Sequence, residues 1–164
     1  MANTFNPEVL AFIDRVAETG SHYRMAEMDE LYVEDLGFLV LARDGGIARF
    51  SKDEMLAEFR SRRDAGEKPL STERRVLHVE DRGEEATAIL YRRMGPDADA
   101  LLYELRLKKV AGAWRVFGET VVPWPDLAKA RGFLPPRRTG VLPGAARKSG
   151  QISRFSPKGR YDAR

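Results

Sequence analysis

The 164-residue chain has no cysteine and only two histidines, His22 and His78. The first absence excludes disulfides and thiolate metal sites, and the second leaves no histidine-rich metal centre. No apolar run approaches the roughly 18 residues that a membrane span needs. There is no EF-hand loop, Walker A loop, Rossmann glycine pattern or Gly-x-Ser-x-Gly elbow. Neither a metal nor a cofactor is expected. The opening "MANTFNPEVLAF" lacks a basic segment followed by an apolar one, so no secretory leader is expected, and the cysteine-free composition suits a reducing cytoplasm.

What is present is an ordinary globular composition, 43% hydrophobic and 32% charged. The net charge of +3 conceals a division. Residues 126–164 hold ten Lys/Arg against two Asp/Glu, whereas residues 1–125 hold 18 against 23. A mildly acidic domain over 1–125 is therefore followed by a strongly basic, Pro/Gly/Arg-rich tail over 126–164.

Within the domain, "NPEVLAFIDRVAETG" predicts a helix. Asn6 caps it, Pro7 takes the first helical position, and Val9, Phe12, Ile13 and Val16 form its apolar face. Gly20 is read as its end and Ser21 as the cap of a second helix carrying Met25, Met28, Leu31 and Tyr32. A strand is expected over Leu36–Leu41, then a tight turn at "ARDGG", a short strand "IARF" and a third helix. Ser51 and Glu54 have the spacing of a capping box for that helix, which buries Met55, Leu56 and Phe59 and ends near Gly66.

Four strands follow, joined by short links, which is the pattern of an antiparallel meander. A two-residue turn at Ala111–Gly112 places Leu107 opposite Val116 and Tyr103 opposite Thr120. One sheet face then carries Tyr103, Leu105, Leu107, Trp114 and Val116, and the other Glu104, Arg106, Arg115, Phe117 and Glu119.

The order helix–helix–hairpin–helix–meander resembles the nuclear transport factor 2-like (cystatin-like α+β) superfamily, in its SnoaL-like and ketosteroid isomerase-like branch. "MDELYVEDLGFLV", "DGGIARFSKDEMLAEF" and "VAGAWRVFGETVV" carry the likeness, which covers about residues 5 to 125. It implies a cone in which a curved antiparallel sheet wraps about three N-terminal helices and leaves a pocket. It also implies a homodimer through the outer sheet face, where Arg106, Arg115 and Phe117 would lie. The resemblance places Val40 where ketosteroid isomerases carry a catalytic Asp, and Asp35 at an acidic corner common to other members.

Asp35 and His78 are the catalytic candidates. Asp35 is read chiefly as a corner carboxylate accepting backbone N–H groups, and Glu34 as solvated. His78, if it faces inward beside Tyr91, is placed to transfer protons; Leu77, Val79, Ala86, Ala88 and Leu90 form the competing, more apolar face. Tyr32, Tyr91 and Tyr103 are the pocket-wall candidates, apolar bodies with polar tips. His22 and Tyr23 are read as residues of a helix start.

Two functions follow. One is a small-molecule-binding protein, with a cofactor-free dehydratase, isomerase or cyclase acting on a small apolar substrate as its enzymatic form. The other is a non-enzymatic module whose tail, through Arg137, Arg138, Arg147 and Lys148, docks on an acidic partner or nucleic acid.

Overall fold

The computed structural model describes residues 4–130, 132 and 133. The basic positions Arg137, Arg138, Arg147 and Lys148 lie outside them. The chain divides between Pro125 and Asp126; the sheet and the three α-helices all precede that point. After it comes one short 3-10 turn, Leu127–Lys129, whose N-terminal Asp126 caps Ala128 N–H.

Helix α1 spans Pro7–Ser21. The Asn6 side chain accepts from Glu8 N–H at 2.9 Å, and Val9, Phe12, Ile13 and Val16 are buried as the helical spacing requires. The end of α1 differs from expectation. Gly20 and Ser21 both belong to the helix, and Ser21 caps nothing. Tyr23 adopts a left-handed conformation (φ +53°), and its ring, buried against Phe59, fixes a reversal before α2 begins at Met25. Burial of that ring and the Tyr23 hydroxyl bond to the Lys68 carbonyl offset the strain of a positive φ. Helix α2 spans Met25–Leu31, and α3 spans Lys52–Asp64 behind a complete Ser51–Glu54 capping box.

Strands β1 (Tyr32–Leu41), β2 (Ile47–Phe50), β3 (Arg74–Asp81), β4 (Glu85–Arg92), β5 (Leu101–Val110) and β6 (Ala113–Pro123) form one curved, unclosed sheet in the order β2-β1-β6-β5-β4-β3. The sheet is mixed rather than wholly antiparallel, because β1 runs parallel to β6. The chain leaves β1 through the hairpin, crosses over with α3 and returns at the far edge with β3, so the meander reaches β1 in its own direction. Together these elements make the α+β fold expected of the nuclear transport factor 2-like type. The helices pack on the inner face, where Leu105, Leu107, Trp114 and Val116 meet Ile13, Met28, Leu31 and Leu56 in one core. No helix among the described residues is long and apolar enough to cross a membrane.

The β5–β6 register holds a second difference. Leu107 pairs with Val116 as expected, but Tyr103 pairs with Val121 rather than Thr120. A β-bulge between Arg106 and Leu107 accounts for the shift: Arg106 opposes Gly118, so Phe117 is the extra residue of β6. Arg106 drapes its guanidinium over Gly118, where an added Cβ would lie 2.5 Å from Arg106 Cζ. Beyond the bulge, the in–out alternation of β6 reverses phase. Glu119, assigned by simple alternation to the outer face, is therefore buried, with 6% of its surface exposed.

The Ala111–Gly112 turn carries two positive φ angles, +51° and +77°. Asparagine tolerates the first better than alanine does, so Ala111→Asn should stabilise the fold by about 0.5–1 kcal/mol. Urea unfolding should show a higher midpoint with an unchanged slope; an unchanged or lower midpoint would contradict this account of the turn.

Candidate functional site

Inside the curve of the sheet lies a cavity of about 60 Å³. Its apolar wall is built by Ile13 and Val16 from α1, Met55 and Phe59 from α3, Phe38 from β1, and Leu90 and Leu105 from the sheet. Besides Ser21 at the end of α1, four polar side chains from the strands project into this wall: Tyr32, Arg92, Tyr103 and Glu119. Each arrives by strand periodicity. Arg92 is in phase with Ala86, Ala88 and Leu90 on β4, Tyr103 with Leu105 and Leu107 on β5, and Glu119 with Val121 on β6.

Arg92 is 7% exposed. Its guanidinium donates to Ser21 Oγ at 3.2 Å and to the Ser71 carbonyl at 3.1 Å, and its Cζ stands 5.9 Å from the Tyr103 ring centroid. Ser21, at the end of α1, in turn donates to the Ser71 carbonyl. One face of the cation is thus held, while its Nε has no partner among the described residues. Glu119 Oε2 is likewise buried without one. The Tyr32 hydroxyl stands close enough to this carboxyl to favour its charged form.

Burial dominates the electrostatics. It raises the Glu119 carboxyl from the usual 4.5 to about 7, against the opposing pull of Arg92 and Tyr32. Burial, followed by the Glu119 charge, raises both tyrosines: Tyr32 well above 10.0, and Tyr103 upward as well. Near neutral pH the cavity therefore holds a carboxyl divided between its two protonation states, two firmly protonated phenols and a guanidinium cation. A carboxyl so poised can accept or deliver a proton at little cost.

Of the residues singled out in the sequence, Tyr32 and Tyr103 meet in this cavity. Tyr91 does not: it lies on the outer face, its ring 5.1 Å from that of Trp124 and its hydroxyl donating to Glu73. The reason is the phase of β4, which turns Ala88, Leu90 and Arg92 inward and leaves Ile89 and Tyr91 outside. His78 pairs with Ile89 and is exposed, edge-on to Phe5 at 6.1 Å. A β-bulge at Leu77 and the inward Val79 set that direction. His22 is likewise exposed and bonds to the Glu18 carbonyl.

Asp35 lies where β1 bulges away from β6 between Tyr32 and Gly37. It is exposed and has no hydrogen-bond partner among the described residues, so the expected backbone bonds are not made. Glu34 is solvated as expected, its side chain 87% exposed, and it also grips Lys52 Nζ at 2.7 Å, with Asp29 at 3.0 Å. Lys52 is buried, and desolvation works against its charge; the two carboxylates outweigh this and raise its pKa.

Alternation alone hides Glu119, but Gly118 within a strand is the signature of a bulge and was the available signal. Arg92 was legible from the β4 period once the inner face was known.

The sequence matches no protein-family model and no curated protein. Solved structures do resemble the fold. A nuclear transport factor 2-like protein of unknown function from Shewanella baltica superposes with a TM-score of 0.60 at 13% identity, over 73% of this chain and 93% of its own. One from Silicibacter pomeroyi gives 0.59 at 13%, over 71% and 93%. One from Pseudomonas putida gives 0.56 at 17%, over 79% and 94%. The chain therefore has the nuclear transport factor 2-like fold.

The raised Glu119 pKa has a consequence for stability. The folded protein binds this proton more tightly than the unfolded chain, so the stability that Glu119 contributes is fully present below pH 4.5 and is lost as pH rises through about 7. That difference corresponds to about 3 kcal/mol. Glu119→Gln should remove this term: close to wild type at pH 5, and more stable than wild type at pH 8. Urea unfolding at both pH values measures it, and a variant equally offset at each would show that Glu119 titrates normally.

Proposed function

We propose that the protein is a cytoplasmic, cofactor-free acid–base catalyst acting on a small, uncharged, largely apolar carbonyl compound, with Glu119 as the proton-transferring group. The observation that carries this reading is a carboxyl buried in an apolar cavity, poised near pH 7, with one oxygen unpartnered beside a half-satisfied arginine. Structural ion pairs and core carboxylates ordinarily have their bonds completed; this one, in a residue of the cavity wall, leaves Oε2 without a partner.

In the proposed reaction, Glu119 Oε2 takes a proton from the carbon beside the substrate carbonyl. The C–H electron pair forms the C=C bond as the carbonyl π pair moves onto oxygen. Arg92 Nε is the unpartnered donor available to that developing oxyanion. Returning the proton at another carbon gives an isomerase, expelling a leaving group at the next carbon gives a dehydratase, and attack on a second carbonyl gives a cyclase. Glu119 takes the role first considered for Asp35 and His78.

Exchange of butanone α-protons with deuterated solvent, followed by NMR, tests the reading. The wild-type rate should rise with pH through about 7, as Glu119 ionises. Glu119→Gln should lower it at least about 100-fold. Exchange that survives this substitution undiminished would contradict the assignment.

A further inference from the structure

A second space adjoins the cavity. Beside it, between the β1–β2 hairpin and α3, runs a groove of about 550 Å³ lined by Phe38, Phe50, Glu54, Met55, Ala57, Glu58 and Phe59. Phe38, Met55 and Phe59 line both spaces. The partition between cavity and groove is therefore three side chains, one of them a flexible thioether. Phe38 and Phe50 are cross-strand partners with ring centroids 6.1 Å apart. Phe50 keeps 39% of its surface exposed at the groove.

We infer that the substrate is a single-chain neutral amphiphile, its carbonyl head in the Glu119 cavity and its alkyl chain laid along this groove. The inference takes the head group from the proposed function and adds the shape and charge of the remainder. Three observations support it. First, the cavity, of about 60 Å³, has room for a head of only a few heavy atoms, while the adjoining groove is roomier and more open to solvent. A compact polycyclic molecule does not fit the inner space, whereas a small head on a chain fits both. Second, apart from its two glutamates the groove is apolar, which suits methylenes. Third, its glutamates are already engaged. Glu54 Oε2 accepts from Ser51 N–H at 2.8 Å in the capping box, and Glu58 is paired with Arg62 at 2.9 Å. A charged chain end of either sign finds no free partner there, since both carboxylates already have theirs. A charged head would have to be desolvated in a cavity where the Glu119 and Arg92 charges already oppose each other. The chain and its head are uncharged.

The test is a series of methyl ketones from butanone to octanone, with dissociation constants measured on the full chain by ligand-observed NMR. Each added methylene should tighten binding about three- to fourfold as it enters the groove. In Ala57→Lys, an exposed position of α3, that gradient should fall below about twofold per methylene, while the melting temperature stays at the wild-type value. Octanoate should bind at least about tenfold more weakly than octanone. Affinity independent of chain length, a gradient undiminished in Ala57→Lys, or octanoate equal to octanone would each overturn the inference. These results are separable from the catalytic reading. A flat series with butanone exchange still dependent on Glu119 removes the amphiphile and leaves the acid–base site. A graded series with exchange indifferent to Glu119→Gln removes the catalyst and leaves the ligand's shape.

Discussion

One extra residue in β6 determines what the interior contains. Strand alternation permits a single side chain per step on each face, and Phe117 and Gly118 break that rule by pointing outward in succession. Without the bulge, Thr120 would share the inner face with Val116, and Glu119 would lie in water beside Glu104 and Arg106. With it, a carboxyl enters a space otherwise walled by Ile13, Val16, Leu90 and Leu105. Gly118 makes the geometry affordable, because the Arg106 side chain occupies the volume a Cβ would need. Everything distinctive about the cavity's chemistry follows from that placement: the raised carboxyl, the raised phenols and the arginine held on one side only.

The acidic corner after α2 has a different purpose from the cavity. Where the helix hands over to β1, Asp29 and Glu34 close on Lys52, the first residue of α3, and so tie three elements together around one buried ammonium. Truncating Lys52 would leave two exposed carboxylates with little loss, but removing both carboxylates would strand a buried charge. Asp35, next in sequence, points to solvent from the β1 bulge. Two neighbouring carboxylates thus have separate fates, and neither is the one inside the sheet.

The elements were largely legible from the chain because their signals are local. Asn6–Pro7 and Ser51–Glu54 announce helix starts through hydrogen bonds made within a few residues, and the Ala111–Gly112 turn follows from two adjacent positions. The contents of the cavity were less legible because they depend on phase, which accumulates along a strand. Tyr32 and Tyr103 lie in apolar patterns that carry them to the inner face; Glu119 lies beyond a bulge that turns it inward against simple alternation. His78 and Tyr91 share one face of the β3–β4 pair, as their spacing required, but it is the outer one. Which face turns inward is set by helices far away in sequence, through Ala86, Ala88 and Leu90. The end of α1 was misjudged for a related reason, since Tyr23 takes its left-handed turn to bury a ring against Phe59.

Glu119 ionises in the buried interior rather than on the sheet's outer surface. Carbon-13 NMR titration of the glutamate side-chain carboxyls, with the Glu119 resonance assigned by its loss in Glu119→Gln, measures this directly. One carboxyl should titrate near pH 7, well separated from the others. A Glu119 midpoint near 4.5, among the exposed carboxyls, would contradict it.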